Sequence, residues 1–107
     1  MADIISVFVT TSSKKEAQKI ANALVKQKLA ACVQILPQME SIYIWEKKIC
    51  RDKEFLVIIK SQKKLFLKLE KTILKLHSYK VPQIVALPII KGHGPYLQWL
   101  KISLHSN

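Results

Sequence analysis

Three histidines, two cysteines and seven carboxylates are the residues of this 107-residue chain that could ligate a metal or carry a proton. They are thinly spread. His77, His93 and His105 are never paired at i, i+4, and Cys32 and Cys50 stand 18 positions apart with no Cys-x-x-Cys between them. A tight Cu(II) or Zn(II) site needs three or four N, O or S donors converging, and no local stretch supplies them. His77 ends a predicted helix, where an imidazole can meet the last carbonyls and the negative end of the dipole; His105 sits near the terminus, where metal capture would be adventitious. Cys32 lies in a predicted strand beside Ala31. It is either a soft ligand and redox handle or the small buried apolar residue that free cysteine usually becomes. Cys50 follows a turn and is expected to be more exposed. Glu46, Asp52 and Glu54 cluster near the same turn and are expected to pair with its lysines. The sequence holds no Gly-rich phosphate loop, no Ser or Cys nucleophile motif and no paired carboxylates at a plausible site, so it reads as a non-enzyme.

Tyr43, Trp45, Lys60, His77 and Tyr79 form a second set. Aromatic rims with a lysine could line a pocket for a small anion between subunits. The same aromatics could equally be intersubunit packing, since such rings keep one end apolar and the other wet. The two uses are compatible.

The elements that must position these residues follow from periodicity. Ile4 to Val9 is a β-branched and aromatic run, read as a strand buried on both faces. Ser13-Lys-Lys-Glu16 has the spacing of a capping box, with each side chain expected to satisfy the other residue's amide. Ala17, Ile20, Ala21, Leu24 and Leu29 then recur at helical spacing, so a helix is predicted from Lys14 to Lys28. Ala31 to Leu36 is a strand; Pro37 and Gln38 interrupt it and imply a bulge, bend or edge. Ile42 to Trp45 resumes it, with Ile42 and Ile44 on one face and Tyr43 and Trp45 on the other. Glu46-Lys47-Lys48 is read as a hairpin turn, and Ile49 to Lys60 returns, with Phe55 to Ile59 as core. A second helix is predicted over Lys63 to Leu76, with Leu65, Leu69, Thr72, Ile73 and Leu76 inward and Lys64, Lys68, Lys71 and Lys75 outward. Ile84 to Ile90 is the last strand, placed at an edge or bulge by Pro88, and Leu97, Leu100 and Leu104 suggest a C-terminal helix from Tyr96. The order β-α-β-β-α-β is the ferredoxin-like one, an α/β (α+β) two-layer sandwich with its helices on one sheet face. Its other face would stand open in a monomer, to be covered by copies of the chain.

Composition narrows the classes further. Half the residues are hydrophobic, yet 18 basic against seven acidic residues give a formal charge of +11. Disorder is excluded by the hydrophobic content, and a membrane span by the lack of any apolar run near 18 residues. No signal peptide is read at the N-terminus, and two unmatched cysteines suggest a reducing, cytoplasmic setting. The charge and the strand order invite comparison with RNA-recognition domains. The third strand, however, has no Gly and a single aromatic, and 17 of the 18 basic residues are Lys where base readout favours Arg. The lysine rows therefore read as a solvated face, and a nucleic-acid module remains the alternative.

Certain blocks resemble the CutA family of divalent-cation tolerance proteins: Lys28-Leu-Ala-Ala-Cys-Val33, Ile35-Leu-Pro37, Ser41-Ile-Tyr43 with Trp45-Glu46 and Lys48-Ile49, Lys60, His77-Ser-Tyr79-Lys-Val-Pro82, Ala86-Leu-Pro88 and Tyr96-Leu-x-Trp-Leu100. They come in the family's order over nearly the whole chain. The resemblance implies a ferredoxin-like subunit in a homotrimer, no enzymatic activity, no obligatory cofactor, and an association with copper or another divalent metal. It makes His77 the candidate metal ligand, one imidazole per subunit. It groups Cys32, Tyr43, Trp45, Glu46, Lys60 and Tyr79 as a candidate intersubunit pocket. The chain departs from the family pattern at the turn, where Lys47 replaces Gly, and after the second helix, where Ser78, Lys80 and Gln83 replace a Pro and two carboxylates. In bacterial members that bind copper a first-strand Cys contributes; position matching puts Val9 there.

Overall fold

The computed structural model describes residues 3–104; His105 and the first two residues lie outside them. Strand β1 (Ile4–Thr11) is followed by helix α1 (Lys14–Lys26), the long hairpin β2 (Cys32–Trp45) and β3 (Lys48–Gln62), a 3-10 turn (Lys63–Leu65), helix α2 (Phe66–Leu76), strand β4 (Ile84–Pro88) and helix α3 (Gly94–Leu104). The strands form one antiparallel sheet in the order β2-β3-β1-β4. This is the ferredoxin-like sandwich with a terminal helix.

The core lies between the sheet and helices α1 and α2. Alternation turns Val7 and Val9 of β1 and Val57 and Ile59 of β3 toward the helices, where all four are fully buried with Ile20, Leu24, Leu69 and Ile73. Phe66, rather than Thr72, joins Leu65 and Leu76 around this cluster; the Thr72 hydroxyl instead donates to the Lys68 carbonyl one turn back. Helix α3 closes a smaller cluster, in which Leu100 and Leu104 cover Ile4. Beyond it the opposite sheet face carries Phe8, Leu36, Ile58, Val85 and Leu87 with no helix over them, and Leu36, Val85 and Leu87 remain 41–49% exposed.

Helix α1 ends two residues before the predicted Lys28. Lys28 takes φ 58, while its N–H donates to the Val25 carbonyl and that of Leu29 to the Leu24 carbonyl. That pair of bonds is a Schellman stop, with Lys28 where glycine is usual. At the other end Ser13 Oγ accepts the Glu16 N–H at 3.1 Å, but the capping box is only half formed: the Glu16 carboxylate takes Ser78 N–H and Oγ instead.

The interruption at Pro37 and Gln38 is a bulge inside one continuous strand, with Gln38 at φ 33 and the register shifting between Leu36 and Met39. The hairpin turn is two residues long, Glu46 and Lys47, at φ 51 and 67. Type I′ geometry matches the twist of the flanking strands but asks for left-handed backbone at both positions. A 14-residue strand at about 3.3 Å per residue is as long as the molecule's longest extent of 45 Å, so the tip of the hairpin stands out as an arm. Strand β4 is at the sheet edge, as its Pro88 requires.

Candidate functional site

The register of the hairpin builds one cleft. Ser41 pairs with Asp52 and Met39 with Glu54, and residues two apart share a face. Ser41, Tyr43 and Trp45 therefore stand beside Asp52 and Glu54, on the side of the sheet turned away from α1 and α2. The segment after α2 closes over them. His77 ends that helix in extended backbone, and Tyr79 packs its ring on the imidazole, with centroids 4.7 Å apart. Together with Thr10, Lys80, Val81 and Gln83, the residues Tyr43, Trp45, Asp52, Glu54 and Tyr79 line an open cleft of about 530 Å³.

Hydroxyl groups hold its carboxylates. Ser41 Oγ donates to Glu54 Oε1 at 2.6 Å and Tyr79 OH to Oε2 at 2.7 Å. Glu54 is buried, 7% exposed, so each carboxylate oxygen needs a donor to offset its lost hydration. Tyr43 OH donates to Asp52 at the outer end. These bonds work only while the phenols keep their protons. The Asp52 hydrogen bond, with smaller contributions from burial and nearby acids, pushes Tyr43 up to about 12. Burial, then the Glu54 bond and charge, drive Tyr79 well above the usual phenol value. Asp52 and Glu54 thus take hydroxyl partners and not the hairpin lysines expected from sequence.

His77 is the pivot between the cleft and the core. Its Nε2 lies 2.7 Å from the Thr10 carbonyl, and Nδ1 accepts the Tyr79 N–H at 3.0 Å. A carbonyl only accepts and an amide only donates, so the two bonds fix the tautomer as Nε2–H with a bare Nδ1. The carbonyl belongs to β1 and not to the helix that the imidazole terminates. Glu16 Oε2 lies 3.5 Å from Nδ1. An ion could reach Nδ1 only by displacing the Tyr79 amide. Val9, where the family's copper-binding thiol would stand, is fully buried among aliphatics, and among the described residues no three His, Cys, Asp or Glu side chains come together in a group that could hold a metal. The described residues of one subunit do not fit a resident metal centre.

Within one subunit the structure gathers Tyr43, Trp45 and Tyr79 around the cleft, with His77 against Tyr79, and places Lys60, Cys32 and Glu46 away from it. Lys60 shares the cleft's face of β3 but lies six residues from Glu54, where its Nζ donates to Gln34 Oε1 at 3.1 Å. Cys32 pairs with Lys60; it is half-buried on the open sheet face and not in the helix-facing core. Cys50 is half-buried too, and both thiols are free. Glu46 is in the turn, exposed. With two carboxylates, Asp52 and Glu54, against the single cation Lys80 in its lining, the cleft does not have the character expected of an anion site. Sequence reasoning missed those two carboxylates, although the signal was there: a two-residue turn at Glu46-Lys47 pairs Trp45 with Lys48 and, counting back, Ser41 with Asp52. No stacking platform for bases exists on β3 either, because Leu56 and Ile58 occupy the corresponding face.

Residues 5–103 match the family of the CutA1 divalent ion tolerance protein. The chain is 46% identical over 99 residues to the chloroplastic protein CutA of Arabidopsis thaliana, covering 92% of this chain and 54% of that one. It is 45% identical over 95 residues to the divalent-cation tolerance protein CutA of Thermus thermophilus, covering 89% and 92%. The chain thus spans about half the length of the plant relative and nearly all of the bacterial one. Among solved structures, CutA1 from the psychrotrophic bacterium Shewanella sp. SIB1 superposes with a TM-score of 0.94 at 42% identity, over 98% of both chains. This chain belongs to the CutA1 divalent ion tolerance protein family.

Proposed function

We propose that the chain acts in divalent-cation tolerance as a non-enzymatic homotrimer in the cytoplasm. The observation that carries the assembly is the apolar surface of the arm and the open sheet face. Ile44, Trp45 and Ile49 are 60–72% exposed and Ile42 56%, on both faces of a hairpin that reaches beyond its own helices. A monomer leaving so many contiguous large side chains in water has unmet association free energy. On α3, Tyr96 and Trp99 stack at 5.7 Å and are also half exposed. The free thiols of Cys32 and Cys50 agree with a reducing compartment.

The cation role is transient in this reading. Copper or another divalent ion meets exposed oxygen donors such as Asp52 and finds no preformed cage. Titration calorimetry with Cu(II) should therefore show weak binding that His77→Ala leaves unchanged; tight binding lost in that variant overturns it. Light scattering at low micromolar concentration should give three subunits, and a clean monomer sinks the assembly. Cells lacking the chain should grow less well in raised copper, zinc or cobalt and recover when it is restored. Equal growth removes the tolerance role.

A further inference from the structure

The helix layer lies on the side of the sheet away from the open face and the cleft. Its outward surface is basic and, at one place, apolar. Helices α1 and α2, with the 3-10 turn before α2, carry nine lysines and two glutamates. One of those glutamates, Glu16, is occupied by Ser78, and the other, Glu70, is half-buried. On α2 the inward direction is set by Leu69, Ile73 and Leu76. At about 100° per residue the opposite pole falls on Lys71, and Leu67 and Leu74, two turns apart on one line, lie about 40° to one side of it. They are 76% and 49% exposed. Lys64, Lys68, Lys71 and Lys75, all exposed, fall within roughly 100° of arc to one side of that line. The adjoining helix continues the field: Lys15, Lys19 and Lys26 occupy the outer pole of α1, with Val25, 46% exposed, beside them.

From this arrangement we infer that the helix layer is a docking surface for anionic phospholipid. Two leucines beside the summit of a helix, flanked by lysines with flexible apolar stems, can dip into the headgroup boundary while the ammonium groups stay at phosphate level. Two features of the surface select a lipid. Its charges are lysines, compact point charges suited to a diffuse field of lipid phosphates; the planar forks that read a fixed acidic partner are missing. Aromatic rings on which bases could stack are absent from the outward rows of both helices. Binding is peripheral: no helix among the described residues is long and apolar enough to cross a membrane.

Vesicle co-sedimentation tests this. The 107-residue chain at about 50 mM salt should pellet with vesicles containing roughly one-third phosphatidylglycerol and stay in solution with pure phosphatidylcholine, and about 500 mM salt should release it. Each Lys→Glu change among Lys64, Lys68, Lys71 and Lys75 should weaken binding by about fivefold or more. The exposed pair Leu67→Ser and Leu74→Ser should weaken it by roughly tenfold with the salt dependence kept. The arm-tip change Lys47→Glu with Lys48→Glu removes twice the charge of any one of those substitutions, in another place, and should leave binding nearly as it was. Circular dichroism confirms that each variant is folded. No pelleting at low salt overturns the inference. So does equal loss in the arm-tip variant, or retention by single-stranded RNA in place of vesicles.

Discussion

Strands β2 and β3 run through two regions of this molecule and meet different surroundings in each. In the body, β3 offers Val57 and Ile59 to the helices, and both are fully buried. Past the bulge at Pro37 and Gln38 the same two strands leave the helices behind. Ile42, Ile44 and Ile49 then project into solvent on the helix side, and Tyr43 and Trp45 on the other. The alternation of β3 runs unbroken through both regions, while the extra residue of the bulge shifts β2 by one, so that its helix side passes from Val33 and Ile35 to Ile42 and Ile44. What changes is whether anything faces it. Apolar side chains in the body hold the subunit together, whereas those of the arm are free to hold subunits to one another, so substitutions of similar size should have different consequences in the two regions.

The largest effect belongs in the body. Ile20 is fully buried between α1 and the sheet, and Ile20→Ala should cost about 2–5 kcal/mol of unfolding free energy in urea titrations. On the arm, Ile44→Ala and Trp45→Ala should leave the unfolding of a dilute subunit nearly unchanged. They should weaken association by about 2 kcal/mol or more if these residues anchor the interface. Sedimentation equilibrium reads that directly: an arm variant that associates like the parent would erase the distinction between the two regions.

The cleft sits where body and arm meet, and its hydroxyl–carboxylate bonds fasten one to the other. Tyr79→Phe leaves Glu54 Oε2 without its donor and should cost about 1–3 kcal/mol at neutral pH. The pH dependence has a definite sign. The unfolded phenol ionises near 10, while both Tyr43 and Tyr79 hold their protons to higher pH in the folded chain. The unfolded state therefore loses protons first, and stability falls as pH rises beyond about 10. Below that value the contribution is fully present. Denaturation between pH 9 and about 11.5 should show this fall, and Tyr79→Phe should flatten it. In phenolate absorbance titrations Tyr43→Phe should remove a transition at about 12.

How much of this could be read beforehand depends on the range of each interaction. The fold was legible, since the alternation of Val7 and Val9 and the helical spacing of Ile20 and Leu24 are local signals that the packed structure keeps. The turn at Glu46-Lys47-Lys48 was legible for the same reason, although Lys48 already belongs to β3. Lys60 was grouped with the aromatics for its charge and its place among the family blocks, and neither reports where a residue sits along a strand. It shares the face of Glu54 but lies about 20 Å along β3 from it at 3.3 Å per residue. The capping box misled because its Glu16 found a better partner, Ser78, 62 residues away in sequence. His77 was placed correctly at a helix end, but the carbonyl it meets, Thr10, is 67 residues distant. The site was hidden wherever its bonds joined separate elements.

The smallest effects compare body and arm most closely, because each region holds a lysine in left-handed backbone: Lys28 at φ 58 behind α1 and Lys47 at φ 67 in the arm's turn. A side chain there costs roughly 1–2 kcal/mol, part of which glycine gives back through its freer unfolded chain. Lys28→Gly should therefore raise global stability by about 0.5–1 kcal/mol. Its turn is tied to the core through Leu29 and Ala30, both buried and both bonded to the Leu24 carbonyl. Lys47→Gly relieves the same strain in a segment with no core behind it. If the arm frays separately from the body, its gain appears in slowed amide exchange around Trp45 and Lys48 and not in the global denaturation midpoint. Equal shifts of the midpoint for both substitutions would mean that arm and body unfold as one cooperative unit.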